Sequence, residues 1–263
     1  MTEELRPITL ITGASSGIGA ALAHEFAAHG HELVLVARRE QALTAVADSV
    51  AAKGKPRPIV LRHDVGRVDA ARDLAEALRS RGLEADNVIN NAGYALLGSA
   101  DQLDRAAQVA MIDVNVRALT DLSLAFLPSL EKRKGGLLNV ASIAAFMPGP
   151  GMAVYYATKA YVLSFSEALH QELKARGVRV TALCPGPVPT EFQARAGIGS
   201  DVFPPILTRS AEFVAREAYA GLKAGRRVVV PGWPNKVMLA VAAITVRPLL
   251  LAITQAVQRN SKS

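Results

Sequence analysis

Cysteine is nearly absent: Cys184 is the only one in 263 residues. An intramolecular disulfide is therefore impossible, and a zinc site built on several thiolates is excluded. The five histidines, His24, His29, His31, His63 and His170, have no paired spacing with carboxylates. They read as surface or satisfied core residues, and no metal site is expected. Internal repeats and low-complexity linkers are missing. The first seven residues are polar and lack the charged-then-apolar pattern of a signal sequence, which makes the cytoplasm the expected compartment. Acidic residues are missing from 218 to 263, a stretch holding Lys223, Arg226, Arg227, Lys236, Arg247, Arg259 and Lys262. Those seven cations equal the whole formal charge of +7, so residues 1–217 balance at 23 against 23. Excess charge confined to a tail is not the broadly basic surface of a nucleic-acid binder, and no nucleic-acid partner is expected.

Half of the residues are apolar and a fifth are charged, enough for a sizeable core and unlike a disordered chain. An α/β fold can use this length as one domain, here residues 1–263. Apolar, β-branched runs at 7–12, 31–37, 57–63, 86–90, 136–141, 178–184 and 226–231 read as strands. Ala- and Leu-rich segments of helical length, such as 18–29 and 39–53, separate them. Strict alternation of strand and helix predicts an α/β architecture, a doubly wound parallel sheet with helices on both faces. Residues 191–208, with Gly197, Gly199, Pro204 and Pro205, read as an irregular loop or a pair of short helices after the sixth strand.

The first strand runs directly into Thr12-Gly13-Ala14-Ser15-Ser16-Gly17-Ile18-Gly19 and then into a helical pattern. Glycines there let the backbone turn sharply and approach a pyrophosphate, which sits on free amides at the helix start. A packing turn would also use glycines, but three of them in the first strand-to-helix turn favour the cofactor reading. The second strand ends in Ala37-Arg38-Arg39, where an NAD site wants an acidic residue for the ribose 2′-hydroxyl. A guanidinium pairs instead with a 2′-phosphate, so NADP(H) is the expected cofactor. Two cations at a helix start are unfavourable unless an anion compensates them.

Further motifs stand in order along nearly the whole chain. They are Asp64-Val65, Asn90-Asn91-Ala92-Gly93, Asp113-Val114-Asn115-Val116, Asn139-Val140-Ala141-Ser142, Tyr155-Tyr156-Ala157-Thr158-Lys159 and Pro185-Gly186-Pro187-Val188-Pro189-Thr190. With the glycine turn they make a sequence that resembles the classical short-chain dehydrogenase/reductase family. Pro187 and Pro189 depart from the pattern, stiffening that loop but sparing Val188 and Thr190. The resemblance implies a single Rossmann-type domain with Asn115, Ser142, Tyr155 and Lys159 as catalytic residues. It implies cofactor contacts from Gly13, Ser15, Ser16, Gly17, Ile18, Gly19, Arg38, Arg39, Asp64, Val65, Asn91, Ala92, Gly93, Tyr155, Lys159, Pro185, Gly186, Val188 and Thr190. Helical spacing places both Tyr155 and Tyr156 near Lys159 and does not choose between them; the family pattern chooses Tyr155. By the same resemblance Asn115 would hold a water linking Lys159 to bulk, and the protein would be a homodimer or homotetramer.

The expected activity is hydride transfer between NADP(H) and an apolar carbonyl or secondary alcohol. Ser142 lies in Ala-Ser-Ile-Ala rather than a Gly-x-Ser-x-Gly elbow, which excludes a serine hydrolase. Residues 143–152 carry no charge, and Phe192, Ile198, Val202, Phe203, Ile206 and Leu207 add an apolar lid within 191–210. Such walls suit an apolar or aromatic substrate. Two rivals stand beside this reading: a catalytically silent NADP-binding regulator, and a membrane-associated lipid- or steroid-type reductase. The second comes from the apolar, basic tail at 234–260. From 237 to 257 its only charge is Arg247, followed by Pro248. That length could span a bilayer, but the central Arg and the proline oppose it. Packing on the protein or a partner subunit is preferred, followed by peripheral membrane contact.

Overall fold

The computed structural model describes residues 5–197 and 204–260, with side chains to 256. Its core is one seven-stranded, wholly parallel sheet in the order β3-β2-β1-β4-β5-β6-β7. The strands are β1 (Arg6–Thr12), β2 (Leu33–Ala37), β3 (Ile59–Arg62), β4 (Leu83–Asn90), β5 (Gly136–Val140), β6 (Arg179–Leu183) and β7 (Val228–Val229). Every expected strand is present. The expected second strand loses His31 and Glu32, and the seventh keeps only two residues.

Successive side chains along a strand point to opposite faces, and here both faces are buried. Leu33 and Leu35 join one core with Phe26, Leu43, Val214 and Leu222, carried by α1 (Gly17–Ala28), α2 (Glu40–Ala51) and α8 (Ala211–Lys223). Val34 and Val36 join the other, with Leu74, Leu122, Phe126 and Leu169. That face is covered by α3 (Ala70–Arg79), α5 (Leu119–Arg133) and α6 (Ala153–Lys174). A strand buried on both sides reads as a near-continuous apolar run, which is why LVLVA is so clear. α4 (Arg105–Ile112) runs into α5 through one π-helical turn, Asp113–Ala118.

The chain winds outward from β1 to β3, then returns to lay β4 against the other side of β1. Ligands bind at the carboxyl ends of strands where the winding reverses. Here that point is the junction of the Thr12–Gly19 turn with the Asn91–Gly93 turn. Beyond β6 lie the short helix α7 (Glu191–Ala196), then α8, β7, α9 (Trp233–Ile244) and α10 (Arg247–Asn260). The apolar tail is thus two helices. Thr245 between them is extended, with φ −77° and ψ 130°. Pro248 falls in the first turn of α10, where a missing N–H is tolerated. Among the described residues no helix is long and apolar enough to cross a membrane.

Candidate active site

A cleft of about 1170 Å³ follows the carboxyl ends of the strands. Every residue proposed above for cofactor contact lines it, as does Ser142. The two turns at the reversal point are fastened together. Asn91 Nδ2 donates to Thr12 O at 3.0 Å and Gly13 O at 3.1 Å, and Thr12 Oγ1 accepts from the Asn91 and Ala92 amides at 3.1 Å each. A Cβ on Gly19 would lie 2.3 Å from Gly13 O, so only glycine lets the first turn of α1 come this close.

At the far end of the cleft stand Arg38 and Arg39. Arg39 Nη2 donates to Ser15 Oγ at 3.2 Å, Ser16 Oγ at 3.1 Å and Glu191 Oε2 at 2.9 Å. Glu191 also pairs with Arg195. Arg39, foremost, and Arg195 hold the Glu191 carboxyl below the ordinary carboxylate range. Arg38 makes no hydrogen bond or ion pair with a described residue, and its charge is felt by Tyr94 across the cleft. Asp64 Oδ1 accepts from the Gly66 amide at 2.9 Å, fixing the turn after β3. The residues present thus fit a dinucleotide: a fastened glycine turn, a guanidinium without a partner among the described residues, and a ring nitrogen, His63 Nε2, buried without a hydrogen-bond partner in the cleft wall. His63 is neither a surface residue nor a satisfied core one, the two expectations for the histidines. Its exception arises because Asp73 stops 4.0 Å away, beyond hydrogen-bond reach.

At the other end three elements converge. Ser142 follows β5 and caps a short 3₁₀ turn, Ile143–Phe146, its Oγ accepting from the Ala144 amide at 3.1 Å. Tyr155 and Lys159 lie one turn apart on α6, both buried, with the ammonium 5.8 Å from the phenol ring centre. Burial raises the Tyr155 pKa above that of an ordinary phenol, and the Ser142 hydroxyl, hydrogen-bonded to it, opposes the rise. Burial lowers Lys159 to about 8, slightly offset by the Cys184 thiol. Lys159 Nζ donates to Val140 O at 2.8 Å, which aims it at the floor of the cleft. Cys184 is buried and pushed up to about 12, so it is an inert thiol.

Asn115 lies behind this group and does not line the cleft. It sits inside the π-helical turn, its Nδ2 donating to Tyr94 O at 3.0 Å and Thr158 Oγ1 at 3.1 Å, its Oδ1 accepting from the Tyr94 amide at 3.1 Å. Such turns gather at functional sites. Tyr156 packs on Gly149, where a Cβ would meet its ring at 2.3 Å.

The substrate end is apolar. Phe192 of α7 lies 5.8 Å from the Tyr155 ring, and Ile143, Met147, Met152 and Leu207 complete the wall. Phe146 and Ile206 are exposed. Ile198, Val202 and Phe203 lie outside the described residues. The tail closes the mouth: Met238, Val241 and Thr245 of the α9 side and Leu250 and Thr254 of α10 line the cleft. Packing on the protein is therefore one real role of the tail. Sequence reasoning located the residues of the cleft but missed Glu191, and missed Asn235, which is fully buried and donates to Leu207 O and Pro231 O at 3.1 and 3.0 Å.

Residues 7–199 match the family model described as short chain dehydrogenase. Sulfoacetaldehyde reductase 2 of Chromohalobacter salexigens is 38% identical over 188 residues, covering 70% of this chain and 74% of that protein. A short-chain dehydrogenase from Sphingobium yanoikuyae, solved with NADPH, is 32% identical with a TM-score of 0.79, covering 92% of this chain and 97% of its own. A second solved structure, from Burkholderia phymatum with NAD, has 25% identity and a TM-score of 0.79, covering 91% and 94%.

Proposed function

The chain belongs to the short-chain dehydrogenase family, and from that premise we propose that it is an NADP(H)-dependent reductase of apolar carbonyl compounds, or the reverse oxidase of their secondary alcohols. One observation carries the reading: Ser142, Tyr155 and buried Lys159 meet at one end of a cleft whose other end holds Arg38 and Arg39. NADPH, when bound, supplies the hydride. Ser142 Oγ holds the substrate oxygen and donates to the oxyanion as charge develops. Tyr155 gives the proton. Ionising an ordinary phenol at pH 7 costs ~4 kcal/mol, and burial adds to that cost. The Lys159 ammonium offsets it, because residues four apart on a helix share a face. Asn115, with its side chain committed to Tyr94 and Thr158, fixes the turn through which Lys159 would be reprotonated from bulk.

The preference for NADP(H) rests on Arg38 as the main 2′-phosphate partner, with Arg39 and Ser15 in support. No acidic residue stands at the end of β2, and one similar solved structure holds NADPH. The preference for an apolar substrate rests on the wall of Ile143, Met152 and Phe192. A sulfonate substrate like that in the name of the C. salexigens relative would need a free cation there. Arg195 lines the cleft but is paired with Glu191. The same reading sets the protein in the cytoplasm as a homodimer or homotetramer. Supporting an assembly, Val109, Ile112, Leu124 and Tyr161 are exposed on α4, α5 and α6.

The test is turnover of a carbonyl panel with NADPH and with NADH, in which aryl ketones, a long-chain ketone, a steroid ketone and sulfoacetaldehyde compete. Preference for the steroid or the long-chain ketone supports the lipid- or steroid-type reading. NADPH binding without turnover of any member leaves the silent regulator. Faster turnover of sulfoacetaldehyde overturns the apolar assignment.

A further inference from the structure

Fifteen large apolar side chains are exposed among the described residues, and eight of them fall in residues 233–253. Trp233, Val237, Val241 and Ile244 follow one another at helical spacing along α9; Val241 also reaches the cleft, while the other three do not line it. On α10 Leu249 and Leu251 are exposed away from the cleft lining, and Ile253 is shared with it. Large contiguous apolar surface on a folded protein marks an interaction site. No acidic residue occurs anywhere in residues 218–263, while Lys236 and Arg247, near the starts of α9 and α10, are exposed. Arg226 and Arg227, which the sequence reading grouped with the tail, lie at the amino end of β7, away from the cleft mouth. Arg227 is paired there with Glu167 at 3.0 Å. The cations that matter are those of α9 and α10.

We propose that the successive helices α9 and α10 are a docking surface for an anionic phospholipid bilayer, holding the mouth of the cleft against the headgroups. Apolar side chains with adjacent cations are the two ingredients of interfacial attachment. Among the described residues no helix is long and apolar enough to cross a bilayer, so α9 and α10 would lie in the interface plane. A second copy of the chain is the weaker occupant. Two-fold pairing sets a surface against itself, and this one would bring Lys236 and Arg247 against their own copies with no acidic residue within either helix to answer them. An anionic headgroup answers both. The same two helices, through Met238, Val241, Leu250, Ile253 and Thr254, also contribute to the wall of the cleft. Docking therefore opens the site toward the phase in which apolar carbonyl compounds concentrate. This last consequence rests on the proposed substrate class; the docking does not.

The experiment is flotation of the full-length protein with vesicles of phosphatidylcholine alone or mixed with phosphatidylglycerol. The protein should float with the mixed vesicles at low salt and leave them as salt rises. Lys236→Gln with Arg247→Gln should weaken partition about fivefold per charge removed. Ile244→Asp should abolish it. None of these residues lines the cleft, so each variant should keep its NADPH-induced rise in melting temperature and its turnover of a small soluble ketone. A folded wild-type protein that stays at the bottom of the gradient at low salt overturns the proposal. So does an Ile244→Asp variant that still floats, or one whose only change is loss of a dimer in sedimentation. Flotation needs no turnover: a protein that floats but reduces nothing overturns the proposed function alone.

Discussion

Lys159 is strongly altered by its surroundings and also has a role in the proposed chemistry. Its folded pKa of about 8 lies below the ordinary 10.5 because burial penalises the ammonium. Between those values the unfolded chain holds a proton that the folded one has released, so stability rises with pH across that window. Lys159→Met should remove this rise, measured as urea-unfolding free energy at about pH 7 and about pH 10; equal slopes for variant and wild type would contradict the assignment. Tyr155→Phe should abolish turnover while NADPH still binds, and Tyr156→Phe should keep much of the rate, because Tyr156 packs on Gly149 at the cleft wall. The reverse result in a steady-state assay would move the proton donor by one residue. Arg38→Asp should weaken NADPH at least tenfold, since a charge-assisted pair is worth ~1.5–3 kcal/mol, and shift preference toward NADH. Glu191→Gln should act oppositely, tightening NADPH and leaving NADH unchanged, because it frees Arg39. Calorimetric titration of both variants checks both signs.

The strands were readable as elements because both faces of the sheet are covered, so the central strands carry unbroken apolar runs such as LVLVA in β2. Their ends were less readable. His31 leaves β2 because its ring bonds Thr9 and Tyr219, a pairing across 188 residues that no local pattern encodes. The same limit hid Glu191 and Asn235, whose importance comes from partners distant in the chain. By contrast the cofactor candidates were all legible, because parallel strands deliver their carboxyl-end turns to one edge by topology alone. Asn235 joins three elements. It holds the carbonyl that ends the lid and the one before α9, and its Oδ1 would lie 2.5 Å from a Cβ on Gly186. Asn235→Ala should cost ~1–3 kcal/mol through the buried Pro231 carbonyl and the part-buried Leu207 carbonyl it strands and raise KM more than it lowers kcat. Thermal melts and steady-state kinetics measure the two effects; a variant as stable as wild type would show that the carbonyls find other partners.

Across the whole molecule the site belongs to no single segment. Its parts come from the turns after β1, β2, β3, β4, β5 and β6, and its two ends meet where β1 lies beside β4. The bonds that fasten that meeting, from Asn91 and Ala92 to Thr12 and Gly13, bridge 78 to 80 residues. Pairings this distant in sequence form late and slowly during folding. A chain emerging from the ribosome therefore carries a complete glycine turn long before it carries anything able to hold a dinucleotide. Recovery of cofactor fluorescence during refolding should accordingly keep pace with the last tertiary phase, and none should accompany the earlier burst of helix. For a cell this makes cofactor capture a certificate of completed folding: a nucleotide-loaded molecule is one whose two sheet halves have already met.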